Sequence, residues 1–366
     1  METEKKLLDD WETLLTFLPE GWREKAKEKG AIRRARGITD PEVLLRIFLV
    51  HLAQGYSLKE TEARVRESGT ATITSVGIYK RLRRSAEWLR WMAQEMLEQK
   101  VGVPAGEESG LRIRMVDGTT VSEPGSTGSD WRLHYALQLK PLRCDHFGIT
   151  DVHEGESLRN FPVRRGDLIL GDRGYADAGG IAHVAARGGE ALVRMRMNSF
   201  RLRDHAGRRF RRLKRLGGLR VGRIGDWPVR VEMEGGGFIP GRVCALRKSK
   251  AAAEVEIVRL RRKYSKQRSG SPGERALAGA HYVCIFTTVD GALLPAREVM
   301  ELYRARWQIE LAFRRLKSIF NFGHLPKNDP LSARAWLYGK LLVALLAESI
   351  VETAHSISPW GYVRIG

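Results

Sequence analysis

The chain has 366 residues, enough for two domains or for one large domain with an insertion. Its 63 Lys and Arg against 43 Asp and Glu leave a net charge of +20, an excess that favours a polyanionic partner through counterion release. Nucleic acid comes ahead of ribosomal or membrane-surface roles, and three scattered cysteines without a CxxC (Cys144, Cys244, Cys284) argue against a disulfide framework or a zinc site.

The opening METEKKLLDDWETLL is acidic and lacks the apolar core of a signal peptide. The longest apolar run, near Leu341 to Leu346, is too short to span a bilayer. The expectation is a soluble protein of the cytoplasm with no membrane partner. Residues 1–104 read as a helical, DNA-binding region. Asp40-Pro41 starts a helix through Leu52, and Ser57-Leu-Lys-Glu60 is a capping box that opens a second. Ser75 opens a third, SVGIYKRLRRSAEWLRWM. Tyr79, Lys80, Arg81, Arg83 and Arg84 lie near its start, where a helix-turn-helix protein places its recognition residues. The plain alternative is a solvated basic helix.

From about residue 110 the periodicity changes to that of strands. LRIRMVDGTTV, DWRLHYALQLK and HFGITDVHEG read as three adjacent antiparallel strands. DLILGD is a short buried strand, DAGGIAHVAARGG a helix, and ALVRMRM another strand. This order predicts an α/β, ribonuclease-H-like core, a mixed sheet with flanking helices, whose first part covers 105–200. Residues 201–288 interrupt it as a β-rich insertion, with WPVRVEME, GRVCALR, AEVEIVRLR and HYVCIFTTV as its strands. Its surface is basic: Arg201 to Arg223 holds ten Lys or Arg against one Asp. Residues 289–366 return to helix and complete the core.

Asp117 closes the strand LRIRMVD and Asp172 closes DLILGD. In the proposed strand order the first and fourth strands are neighbours, which brings the two acids together. Two carboxylates in contact repel unless a divalent cation sits between them, and magnesium suits such hard oxygen donors. Singly, each aspartate is as readily a turn residue. YRARWQIELAFRRLK then seats one acid, Glu310, among five Arg and Lys. On a continuous helix Tyr303, Arg306, Glu310 and Lys317 fall within one arc of about 60°. Leu302, Ile309, Phe313, Leu316 and Phe320 form an adjacent apolar stripe that can dock on a sheet. An i,i+4 surface pair explains Arg306 and Glu310 but not the aligned tyrosine and lysine. A third carboxylate beside the two aspartates completes a two-metal site.

The pattern Tyr-x2-Arg-x3-Glu-x6-Lys, met by Tyr303, Arg306, Glu310 and Lys317, resembles the signature of bacterial insertion-sequence DDE transposases of the insertion-sequence-4 group. The likeness covers about residues 40 to 340. It implies an Asp-Asp-Glu triad on a ribonuclease-H-like fold with a β insertion before the glutamate. Asp117, in a hydrophobic-Asp-Gly-Thr context, matches the first acid, and Asp172, in Gly-Asp-Arg-Gly-Tyr, the second. The closing SPWGYVRIG departs from the family, where relatives commonly continue in helix.

The resemblance implies cut-and-paste transposition. Two Mg2+ ions, replaceable by Mn2+, would be held by Asp117, Asp172 and Glu310 for hydrolysis at element ends and strand transfer into target DNA. Arg306 and Lys317 would clamp phosphates and Tyr303 would position one. The partner is double-stranded DNA, both terminal inverted repeats and target, bound by a homodimer. By position, Tyr282 stands where some relatives stack a flipped base during hairpin formation; packing within the insertion's own core is the slightly favoured reading of that tyrosine. Two rivals remain: a ribonuclease-H-like nuclease without strand transfer, and a non-catalytic DNA-binding regulator.

Overall fold

In a computed structural model, the described residues are 10–33, 37–100, 110–126, 130–140, 142–197, 199–233, 235–266, 270–319, 322, 325–326 and 329–357. The first nine residues, Phe320 and residues 358–366 lie outside them.

Local chemistry sets the helical part. At the helix Pro41–Gln54, Asp40 accepts from the Glu42 N–H, and Pro41 sits in the first turn, where no N–H is needed. Gly55, at φ 71°, ends that helix in the left-handed region. The helix Leu58–Glu67 opens on the Ser57–Glu60 capping box, with both reciprocal bonds formed. The third helix differs from its expectation. Its cap is Thr74, and it stops at Arg84. Buried Ser85 turns its hydroxyl back to the Arg81 carbonyl at 2.9 Å, and a separate helix, Ala86–Lys100, follows.

The helix Pro330–Ile357 packs against Ala86–Lys100, and Trp88, Leu89, Met92, Leu341, Leu342 and Leu345 share one buried cluster. Each fully buried side chain of this size contributes roughly 1.5–3 kcal/mol. Gly339 marks a close approach, since a Cβ there would lie 2.4 Å from Leu52 Cδ1. The run Leu341 to Leu346 is thus a core seam. No helix among the described residues is long and apolar enough to cross a membrane.

The strands β1 (Arg112–Val121), β2 (Trp131–Gln138) and β3 (Arg143–Asp151) form an antiparallel set. β4 (Asp167–Gly171) lies parallel to β1, and β5 (Glu190–Arg194), reached through the helix Ala178–Ala185, lies parallel to β4. The sheet continues past β5 into β6 (Leu202–Arg203), β7 (Ile224–Glu232), β8 (Phe238–Arg247) and β9 (Tyr282–Thr287). Its nine strands run in the order β3-β2-β1-β4-β5-β9-β8-β7-β6. One segment expected as a strand is helical: AEVEIVRLR lies within the helix Lys250–Lys266. Ala253 and Ile257, four apart, are buried, whereas Val255 is 66% exposed. That is the 3.6-residue period, not the two-residue one.

Alternation along the strands sends side chains to two cores. Met115, Leu168, Leu170 and Leu192 join the cluster of the long helices; Val116, Ile169, Ala191 and Val193 face Ile181 and Val184 on the other side. A buried ion cluster pins three strands: Arg114 Nε donates to Asp145 Oδ2 (2.6 Å) and its Nη1 to Asp167 Oδ2 (3.1 Å). Those acids hold the Arg114 guanidinium above its usual pKa although burial pushes it down.

Candidate active site

Met115 on β1 stands opposite Leu170 on β4. Two residues further along the same faces come Asp117 and Asp172, so parallel pairing carries the acids to neighbouring positions about one strand spacing, roughly 4.8 Å, apart. Asp117 does not end its strand: β1 runs on to Val121, and Asp117 is paired with Tyr135 on β2. Asp172 does follow the last residue of β4. Each carboxylate accepts from a nearby glycine amide, Asp117 Oδ1 from Gly118 (2.8 Å) and Asp172 Oδ1 from Gly174 (2.6 Å).

The third acid arrives on the helix Trp307–Ile319. Its apolar residues Ile309, Phe313 and Leu316 are buried, and Phe313 meets Tyr135 with ring centroids 5.7 Å apart. That contact docks the helix over β1 and β2. The expected single helix is in fact two, Ala296–Ala305 and Trp307–Ile319, with Arg306 at the junction. Tight i→i+3 turns (Arg306 N to Tyr303 O, Ile309 N to Arg306 O, both 3.2 Å) replace the regular ladder there. The break aims Arg306 inward. Its Nη1 donates to Asp117 Oδ2 at 3.1 Å and its Nη2 to Glu310 Oε1.

Burial, with Asp172 and Glu156 adding repulsion, pushes the Asp117 carboxyl up to about 6, against the pull of the Gly118 amide and Arg306. Tyr303 is raised by burial and lies beside the guanidinium of Arg194, the last residue of β5, which pulls it back down. Among the described residues no three Asp, Glu, His or Cys side chains stand at metal-ligand spacing, and Arg306 lies between Asp117 and Glu310. The donor set nevertheless fits a hard divalent cation: carboxylate oxygens, crowded and partly desolvated, with one guanidinium as direct counter-charge.

The other expected contacts are spread out. Lys317, about two turns beyond Glu310, lines a cavity of 980 Å3 with Tyr79, His51, Tyr56, Trp336 and Lys340. On the helix Ser75–Arg84, Lys80 and Arg84 are exposed. Arg81 donates to the Ile38 carbonyl (2.9 Å) and Arg83 pairs with Asp329 (3.1 Å), so both are engaged within the chain. Tyr282 is the half-buried first residue of β9, opposite Arg247 and packed beside the second core.

Sequence reading missed two groups. Arg173, Arg194 and Lys248 crowd together with Glu256, Arg173 donating to it at 3.0 Å. Burial and the like charges lower both Arg194 and Lys248. Arg173 stands inside the Gly-Asp-Arg-Gly-Tyr run, which is the one local signal for this group; Arg194 and Lys248 gather only through the fold. Glu156, from a polar loop, carried no signal at all.

A family model described as a transposase DDE domain matches residues 108–346. The chain is 31% identical to the putative transposase InsL for insertion sequence element IS186A of Escherichia coli strain K12, over 96% of each chain. It is also 31% identical to the transposase for insertion sequence element IS421 of Escherichia coli, again over 96% of each. With the transposase for insertion sequence element IS231B of Bacillus thuringiensis subsp. berliner it shares 22% identity over 90% of this chain and 77% of that one.

Proposed function

The chain belongs to the insertion-sequence transposases with a DDE domain, and on that premise we propose that Asp117, Asp172 and Glu310 are its catalytic acids. The enzyme catalyses transposition of an insertion sequence, cutting DNA at the element ends and joining them to a target. The observation that carries the assignment of residues is the register: Met115 opposite Leu170 sets Asp117 beside Asp172, and Arg306 ties Asp117 to Glu310. The Tyr303, Arg306, Glu310 and Lys317 spacing supports placing the chain in the insertion-sequence-4 group. The three antiparallel strands followed by two parallel ones support a ribonuclease-H-like core, with 201–288 as its insertion.

Asp117, Asp172 and Glu310 would hold divalent ions, two Mg2+ in this reading, whose chemistry when bound would be Lewis-acid stabilisation at the phosphodiester and activation of the attacking oxygen. The chain's own groups position the DNA. Arg306 balances Asp117 and Glu310, and its guanidinium, at the rim of the acids, would also meet a phosphate of the bound DNA. Arg173, Arg194 and Lys248, with only Glu256 against them, leave excess positive charge beside Asp172 for a second phosphate. Tyr303 orients that contact through Arg194. Lys80 and Arg84, exposed on the Ser75–Arg84 helix, meet the backbone of the terminal repeats further from the cut. Two chains assemble on paired ends, and Tyr282 offers a ring on which an unpaired base can stack.

The test is a DNA fragment carrying one element end and a target plasmid, incubated with Mg2+, Mn2+ or EDTA. Nicks at the element boundary and joined products are expected with either metal and neither with EDTA. Undiminished cleavage in EDTA sinks the metal assignment; cleavage that never yields joined products makes the protein a nuclease only.

A further inference from the structure

A fourth acid points into the same space. Glu156 lies in the loop after β3, immediately before Ser157, which caps the short 3-10 turn Leu158–Asn160. Leu158 and Phe161 are buried at 0% and 1% exposure and anchor that loop in the second core. The anchoring turns Glu156 inward, across both aspartate motifs. A Cβ built on Gly118 would lie 3.4 Å from Glu156 Cγ and Oε1. One built on Gly174 would lie 2.3 Å from Glu156 Oε2 and 3.0 Å from Asp172 Oδ1. Glycine at 174 therefore leaves the room that the Glu156 carboxylate occupies, while the Gly118 position sits at ordinary contact distance from it.

A separate observation points to a ligand in the same space. Tyr175 is fully buried, and its hydroxyl has no hydrogen-bond partner among the described residues. That hydroxyl lies 3.5 Å from the same Gly118 Cβ position that touches Glu156. A buried donor without a partner costs about 1–3 kcal/mol, so its native surroundings include something more. Asp172 and Glu156 form no ion pair among the described residues, although oxygens of both lie within 3.0 Å of the one Gly174 Cβ position. Acids left so close without a direct cation are stable as anions only around one.

Resting on the carboxylate reading above, we propose that Glu156 is a fourth acid of the active site and holds a divalent cation jointly with Asp172. Gly174 makes the space for it, Gly118 borders that space, and Tyr175 lines it with its hydroxyl.

Mn2+ binding to the full-length, DNA-free protein, read from the electron paramagnetic resonance signal of free Mn2+, tests this without calling on activity. Glu156→Gln should weaken the tighter ion by about tenfold or more, the scale set by loss of a group that supports a metal site. Glu156→Asp, which keeps the charge but withdraws it by one methylene, should fall between Glu156→Gln and the parent. A metal-free melting temperature of Glu156→Gln at or above the parent's excludes a folding defect as the cause, because removing a repelled charge should not destabilise. Asp172→Asn is the control for the underlying site. Parent-like Mn2+ affinity in Glu156→Gln, with Asp172→Asn weakened, overturns the role of Glu156 alone. Parent-like affinity in both overturns the shared carboxylate site as well.

Discussion

Buried charge in this chain takes two forms. Arg114 is met by Asp145 and Asp167 on neighbouring strands and is fully paired. Lys340 is 1% exposed, sits 5.1 Å from the Trp336 ring centroid, and has no ion pair among the described residues. Burial lowers its ammonium to about 8 from an ordinary 10.5. A lysine depressed in the folded state weakens the fold while it is charged, and that cost is relieved as pH rises through 8 towards 10.5. At 1.36 kcal/mol per unit the full cost would be about 3 kcal/mol; the neighbouring cavity admits water and reduces it. Lys340→Met, similar in volume, should therefore stabilise the protein by about 2 kcal/mol at pH 7. Urea unfolding between pH 7 and 10 should show that gain shrinking above pH 8; a gain independent of pH would mean the ammonium is solvated. Legibility divides along the same line at this scale. The candidate acids Asp117, Asp172 and Glu310 carry local patterns, a glycine after an acid or a spaced polar row, and can be proposed from sequence. Glu156, Arg194 and Lys248 matter only through neighbours distant in the chain, and no local pattern marks them.

Elements were legible where a few adjacent residues decide them. Asp40-Pro41 and Ser57 to Glu60 state their helix starts outright, and β7, β8 and β9 fall within short strand-like runs rich in β-branched and apolar residues. The misreadings arose where two periods compete or where a side chain breaks a ladder. Ala253 to Arg261 alternates by eye yet follows helical spacing, and Arg306 interrupts an otherwise regular helix because both its acids lie inward. That the strands of residues 201–288 join those before them in one sheet was not legible, since the pairing of β5 with β9 spans a long stretch of chain. That joint is tight: a Cβ on Gly241 of β8 would lie 2.5 Å from Phe286 Cζ and 2.7 Å from the Thr287 carbonyl of β9. Gly241→Ala should cost about 1–3 kcal/mol, as overpacking does elsewhere. Denaturant midpoints report it, and a parent-like midpoint would mean that β8 and β9 are free to separate there.

At the scale of the whole molecule, the charge of +20 and the DDE domain converge on DNA. Each phosphate that the protein no longer neutralises should make the slope of log K on log salt shallower by about 0.9. Replacing Lys80 and Arg84 by Gln should reduce that slope by about 2 on element ends. An unchanged slope would move the DNA face away from the Ser75–Arg84 helix. If Asp117, Asp172 and Glu310 act together through bound cations, single-turnover cleavage of an element end in Mg2+ must depend on each of them. A bound ion supplies several kcal/mol at the transition state, and each 1.36 kcal/mol is tenfold in rate. Asp117→Asn, Asp172→Asn and Glu310→Gln should therefore each slow cleavage by about a thousandfold or more, while band-shift affinity for the same DNA stays within about threefold. Cleavage within tenfold of the parent by any one of them, with DNA binding intact, would contradict the account for that acid.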